Sequence, residues 1–500
     1  MNEVTIEHLY DDLDRRIEQL QADRSAVSRS RGIVERALEG DRIYYGINSG
    51  FGALAQKRIS ADQLEELQHN LILSHAVGVG PPVPKPITEL MLKLKIHGLG
   101  LGHSGVSLET FERLLWMVSE GLVPVVPSQG SLGASGDLAP LAHLALPLIG
   151  QGEFWDAAGR ERLPAARCLA ERGVAPLRLQ AKDGLALVNG TQFMAAYGAW
   201  ALERAMRLVR LADLLAAMSL EALQGSLRPF DERIHAVRPH PGQAKVAHNV
   251  RLLLQESQIL ESHRNCGKVQ DPYSLRCVPQ VHGASRDALQ YAADVVQTEL
   301  NSVTDNPLVF PDGDIVSGGN FHGQPLAYAL DLAAIALAEL AGISERRTFL
   351  LLEGHDGLPP LLMKDTGVNS GFMIPQYTAA ALVSENKVLA HPASVDSIPC
   401  SLGQEDHVSM GAVSATKLRQ VVFNVQHCLA VELMTASQAL DYRLPLKPGR
   451  GVMLAHEFVR SRIPHREADG MFHDDLNRSI ELVESCEIVD VVQQALGPLQ

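Results

Sequence analysis

The chain has 500 residues, with 44 Lys and Arg against 58 Asp and Glu for a formal net charge of −14; 46% of residues are apolar, 20% charged and only 5% aromatic. That composition can bury a large core, and the length points to more than one structural unit. An acidic chain without a long basic run argues against nucleic acid or an anionic membrane surface as partner, while leaving room for a local cationic site that takes a small anion.

The first residues, "MNEVTIEHLYDDLDRRIEQL", are charged and helical in period, with no apolar signal core. Up to about residue 190, short helical patterns alternate with Gly/Pro-rich loops such as "YYGINSGFGALA" and "GVGPPVPKP". Residues 1–190 are therefore read as a loop-rich helical domain. Within it, "ITELMLKLKIHGL" has the spacing of an amphipathic helix. The G-x-G-x-x-G string from Gly100 to Gly105 thus follows a helix, whereas a dinucleotide site needs a strand, and it reads as a helix-ending glycine turn. Further on, "GSLGASGDLAP" (130–140) sets Ser135 among small residues. Ser135 is not a hydrolase nucleophile elbow, because Asp137 stands where that pattern needs glycine.

Beyond Asn189 the character changes. From Thr191 to Gln224 there is no proline and one internal glycine, Gly198. Apolar residues recur at Leu208, Leu211, Leu215, Met218 and Leu220, and others occupy the remaining faces, which predicts a long helix enclosed in a bundle. At about 1.5 Å per residue it would extend roughly 50 Å. Further helices are predicted over 282–302, 322–352, 376–390 and 410–441, so residues 191–500 are read as a long-helix bundle domain. Strand signals are weak and isolated, as in "LVFPDGDIVSG" with its Asp-Gly turn at 312–313. The apolar run "YALDLAAIALAELAGIS" carries Asp331 and Glu339 and reads as a core helix, not a membrane span.

His235 and His240 flank prolines with no acidic or cysteine companion, so they read as loop residues, not metal ligands. The six cysteines, at 168, 266, 277, 400, 428 and 486, contain no C-x-x-C pair and indicate neither a disulfide framework nor a zinc cluster. A reducing cytoplasm is the expected compartment. In "VQDPYSLRCVPQVHG" (269–283), Gln270, Tyr273 and Arg276 follow at three-residue steps. A fixed guanidinium there suits a carboxylate ligand, and equally a structural ion pair. "GQEDHVSM" (403–410) gathers Gln, Glu, Asp and His just ahead of a helix, where Asp406 or Ser409 could also serve as a cap.

Taken together, "YYGINSGFGALA", "LILSHAVGVG", "GSLGASGDLAPLAHLALPLIGQGE", "LVNGTQ", "VQDPYSLRC", "SGGNFHG", "SERR", "GVNSGFMIPQYTAAALVSENK" and "QEDHVSM" resemble the aromatic amino acid ammonia-lyases. They occur in that family's order from about residue 44 to 410. The resemblance implies a mainly α fold built on a central long-helix bundle like that of the fumarase/aspartase superfamily. It implies that Ala134, Ser135 and Gly136 cyclise autocatalytically to a methylidene-imidazolone, with no external cofactor and no metal. Glycine at 136 and alanine at 134 permit the compressed backbone, and the Ser135 hydroxyl can leave as water. The electrophile accepts the substrate amine and makes it a better leaving group.

By the same resemblance, Tyr45 is a candidate base for the β-proton, Arg276 clamps the substrate carboxylate with help from Asn189, and Tyr273 and Gln270 sit beside the electrophile. Phe321 packs near the ring, while His75 and Glu405 face the substrate side chain; either Tyr45 or Glu405 takes the proton. Ser74-His75 and Gln404-Glu405 look like the histidine branch, since a His and a Glu can satisfy both nitrogens of an imidazole. The expected reaction is elimination of ammonia from L-histidine to give trans-urocanate. A tyrosine or phenylalanine lyase, or an aminomutase using the same electrophile, is the alternative, and a helical scaffold that lost the chemistry is the alternative from another class. Departures from the family's usual pattern occur at Ser49, Val278, His282 and Leu402-Gly403, of which Val278 and Gly403 bear on the pocket. The apolar faces of the long helices, with the resemblance, imply a homotetramer in which Tyr45, Arg276 and the electrophile of one site do not all come from the same chain.

Overall fold

The computed structural model describes residues 3–40, 42–50, 59–60, 63–265 and 267–500. The "YYGINSGFGALA" segment from Phe51 onward, and Cys266, lie outside the described residues. The chain is mainly α, as its sequence predicts. Four helices dominate: Gln192–Ala222 and Gly411–Asp441, each of 31 residues, Gln324–Leu352 of 29 and Val278–Leu300 of 23.

Two helices begin earlier than their sequence pattern predicts. Val278–Leu300 was expected from 282, and Met373–Leu389 from 376. In each, a proline (Pro279, Pro375) sits in the first turn, where its missing N–H has no intrahelical partner to lose. The helix Gln192–Ala222 is enclosed on most sides as predicted: Leu208, Leu211, Leu215, Met218 and Leu220 are buried, and so are Ala212, Leu214, Ala216 and Ala217 between them. Gln324–Leu352 is long and apolar enough to cross a membrane, but 67% of its most apolar window is buried inside the chain. That is the burial of a core helix.

Among the described residues, strands are confined to three two-stranded antiparallel pairs. One is the predicted hairpin, with Leu308 opposite Val316 and Val309 opposite Ile315. Its Asp-Gly turn puts Gly313 at φ +98°, open to glycine without strain. The Gly100–Gly105 string is the glycine turn its sequence predicts: the helix Lys85–Gly100 runs into it, and Gly102 and Gly105 take φ +81° and +70°.

The chain forms two compact units, each discontinuous in sequence. The first comprises 1–203, 292–331 and 392–416, and the second 204–291, 332–391 and 417–500. The division cuts each of the four long helices, while the change of character near 190 marks where the first of them begins.

The second unit has a charged interior. Arg347 meets both oxygens of Glu432 at 2.5 and 2.8 Å, Ser219 Oγ donates to the same carboxylate at 2.7 Å, and His282 lies 3.3 Å from Arg347 Nη1. The other ring nitrogen of His282 is 2.8 Å from Asp213, which also accepts from Arg286 at 2.6 Å. Burial alone would raise the Asp213 carboxyl, but Arg286 and the donors around it hold it below its ordinary range. His282, one of the departures from the family's pattern, is therefore a member of this network.

Candidate active site

The 130–137 loop belongs to the first unit and is pinned on both sides. Asp137 donates its backbone N–H to Gly190 O at 2.7 Å, and its Oδ2 accepts from the N–H groups of Phe193 and Met194 at 3.0 Å each. Those two amides open the helix Gln192–Ala222, so Asp137 ties the loop to that helix's N-terminus. Met410 N donates to Leu132 O at 2.9 Å, and Ser409 Oγ donates to Gly133 O at 3.2 Å. Ser409 Oγ also accepts from Gly411 N at 3.2 Å, the first amide of the helix Gly411–Asp441. Gly136 stands at φ +74°, and a Cβ there would lie 2.0 Å from Gly190 O. Only glycine fits. Asp137 is wholly enclosed, and burial pushes its carboxyl up to about 7 against the pull of Met194 N–H, Ser131 and Phe193 N–H.

This loop borders a cavity of about 310 Å³ lined by Tyr45, Ala134, Ser135, Asn189, Asn306, Phe321, His322, Glu405 and neighbouring residues. Glu405 Oε1 accepts from Ser135 Oγ at 2.8 Å, and Oε2 accepts from Cys400 Sγ at 3.2 Å. His75 ends the helix Leu64–His75, with Ser74 Oγ at 3.0 Å from its Nδ1. It is not among the cavity's lining residues. Burial lowers its pKa, opposed by the Leu71 backbone and by the charge of Glu405. His75 and Glu405 therefore share one electrostatic neighbourhood.

Asn189 is fixed twice over. Its side-chain amide donates to Asn306 O at 2.9 Å, and its own carbonyl accepts from Lys95 Nζ at 2.5 Å. Lys95 is fully enclosed, and burial lowers its ammonium to about 7 despite the charge of Asp305. Asp305 itself pairs with buried Lys182 at 2.7 Å. Sequence reasoning missed Lys95, Cys400 and Asn306. The signal for Lys95 was present: it sits on the apolar stripe Met91–Lys95–Leu99 at four-residue spacing.

Gln270, Tyr273 and Arg276 are not brought to this cavity; all three belong to the second unit. Tyr273–Arg276 forms one helical turn, as the three-residue spacing predicts, with the guanidinium 4.4 Å from the Tyr273 ring centre and Tyr273 70% exposed. Gln270 lines a separate cavity of about 740 Å³. Among the described residues Arg276 forms no ion pair, and its Nε is buried without a hydrogen-bond partner. The structural ion pair that the sequence left open is absent from that set. Val278 is buried in the second unit and lines neither cavity.

A family model described as aromatic amino acid lyase matches residues 4–461. The histidine ammonia-lyase of Myxococcus xanthus is 53% identical over 472 residues, covering 94% of this chain and 92% of its own. Among solved structures, the histidine ammonia-lyase of Trypanosoma cruzi superposes with a TM-score of 0.87 at 44% identity, covering 94% of this chain and 89% of its own. A tyrosine aminomutase from Streptomyces globisporus superposes with a TM-score of 0.90 at 35% identity, over 100% of this chain and 99% of its own.

Proposed function

The chain belongs to the aromatic amino acid lyase family, and from that membership and the geometry of the cavity we propose that it eliminates ammonia from L-histidine to give trans-urocanate. The observation that carries this reading is Glu405, whose carboxylate lines the cavity and accepts from Ser135 Oγ at 2.8 Å. An imidazole side chain needs one acceptor and one donor, and Glu405 with His75 supplies both. A phenyl ring would leave those polar groups unpaired, at about 1–3 kcal/mol each.

The reactive group is a methylidene-imidazolone made from Ala134, Ser135 and Gly136. The loop fits it: Gly136 occupies a conformation and a space that exclude any side chain, and the Ser135 hydroxyl is held by a carboxylate. When formed, the group supplies an electrophilic methylene that makes the substrate nitrogen a better leaving group. The chain's own residues do the rest. Tyr45 and Glu405 are the groups in the cavity suited to carry the β-proton. Asn189, fixed by Asn306 and Lys95, presents its amide to the substrate, and Phe321 packs against it.

The carboxylate clamp is Arg276, with Gln270 and Tyr273, contributed by another copy of the chain in a homotetramer. Two features support this: Arg276 has no ion-pair partner among the described residues of its own chain, and the Tyr273 ring beside it is exposed. The electrophile and Tyr45, by contrast, line one cavity of a single chain. The enzyme belongs in the cytoplasm, in keeping with Cys168, Cys277, Cys400, Cys428 and Cys486, all free thiols.

One observation favours a second reading: the full-length superposition on a tyrosine aminomutase. Incubation of the purified protein with L-histidine, L-tyrosine and L-phenylalanine in separate reactions decides between them. Growth of urocanate absorbance with histidine alone is expected. Cinnamates or β-amino acids without urocanate would overturn the histidine assignment.

A further inference from the structure

The turn that carries Glu405 is built unusually. Cys400 and Glu405 face each other across an antiparallel bridge, with Cys400 N donating to Glu405 O at 2.9 Å and Glu405 N to Cys400 O at 3.4 Å. Such a pairing sets two side chains next to each other on one face. Between them, Ser401, Leu402 and Gly403 run through the left-handed region at φ +51°, +57° and +85°. Only the last is a glycine, and Leu402 is 96% exposed, so no burial of its side chain offsets the strain. The conformation is sustained by its closure, and its product is a carboxylate with a thiol on one oxygen and a serine hydroxyl on the other.

Those two donors have different fates. The reading above, on which this inference rests, consumes the Ser135 hydroxyl when the electrophile forms, which strips Oε1 of its donor. We infer that Cys400 is a positioning residue whose Sγ–H then remains as the side-chain donor that holds Glu405 toward the substrate. Burial and the neighbouring carboxylate push the Cys400 thiol up to about 11, so at neutral pH it stays protonated and able to donate. Cys400 also packs against the buried cluster of Ala134, Val408 and Met410, which fixes the thiol relative to the electrophile loop.

The test compares wild type, Cys400→Ala, Cys400→Ser and Glu405→Gln, together with Cys400→Ala in the Glu405→Gln background. Each is assayed for urocanate formation, thermal midpoint and intact mass. Cys400→Ala should keep the matured mass and midpoint but lose about tenfold in kcat/KM, the scale of one hydrogen bond to a charged group. Cys400→Ser, which restores a donor, should return to within about threefold of wild type. In the Glu405→Gln background the alanine substitution should cost less than about twofold, because its effect acts through the missing carboxylate. Equal losses from Cys400→Ala in both backgrounds, a Cys400→Ser as impaired as the alanine, or an alanine variant equal to wild type would each overturn the inference. If Cys400→Ala does not fold, Cys400→Val, which also lacks a donor, takes its place in every comparison. A wild type that forms no urocanate would sink the proposed reaction itself, a different failure from any of these.

Discussion

Lys95 occupies a place that hydrophobicity alone would give to leucine or methionine. Its ammonium is enclosed and donates to a peptide carbonyl, that of Asn189, and its pKa falls to about 7. The folded value lies below the ordinary one, so between about pH 7 and the ordinary lysine range unfolding takes up a proton, and this group makes stability rise with pH across that window. Lys95→Met removes that slope. Thermal unfolding at pH 7 and pH 9 should show wild type gaining on the variant as pH rises; a constant difference would mean Lys95 is not buried as a titrating group. Arg276 makes the complementary case. Arg276→Lys keeps the charge but loses the planar fork, and kcat/KM should fall by about tenfold or more. A variant within about twofold of wild type would assign Arg276 a structural part only. At this scale the sequence singled out Glu405, which lines the cavity beside Ser135, and Arg276, which does not line it. Cys400 carried no such signal, because its partner comes from a turn whose left-handed backbone no propensity anticipates.

The elements were legible wherever period and punctuation agreed. The helix Gln192–Ala222 and the 308–316 hairpin follow their patterns closely, while the helices Val278–Leu300 and Met373–Leu389 start earlier than their periodicity predicts because each takes a proline into its first turn. What joins elements was not legible. Arg347 on the helix Gln324–Leu352 neutralises Glu432 on Gly411–Asp441, a pairing 85 residues apart in the chain. Both side chains are fully buried, so removing one leaves the other charge uncompensated. Arg347→Leu should lower stability by about 3–5 kcal/mol, and adding Glu432→Leu should recover much of that loss. Thermal or denaturant unfolding checks this. A double variant no more stable than the single one would show that the network does more than balance charge.

The whole molecule is assembled from discontinuous segments, which is why a boundary drawn along the sequence near 190 describes helix length more than it describes the compact units. In the proposed tetramer one copy completes the site of another, a reading supported by the absence of Arg276 from the lining of the cavity that the electrophile loop borders. Subunit exchange between Ser135→Ala and Arg276→Ala proteins, each inactive alone, should regenerate some intact sites and restore measurable turnover. A mixture that stays dead while tagged subunits demonstrably mix would refute shared sites, and a monomer by light scattering would refute the assembly. Consumption of Ser135 to build the reactive group is read most directly from the mass of the intact chain. In a preparation that forms urocanate from histidine, the chain should be lighter than its sequence by one water for ring closure and one for dehydration, and Ser135→Ala should be folded, inactive and without the dehydration loss. An active preparation carrying the full, unmodified mass would show that Ser135 is not consumed.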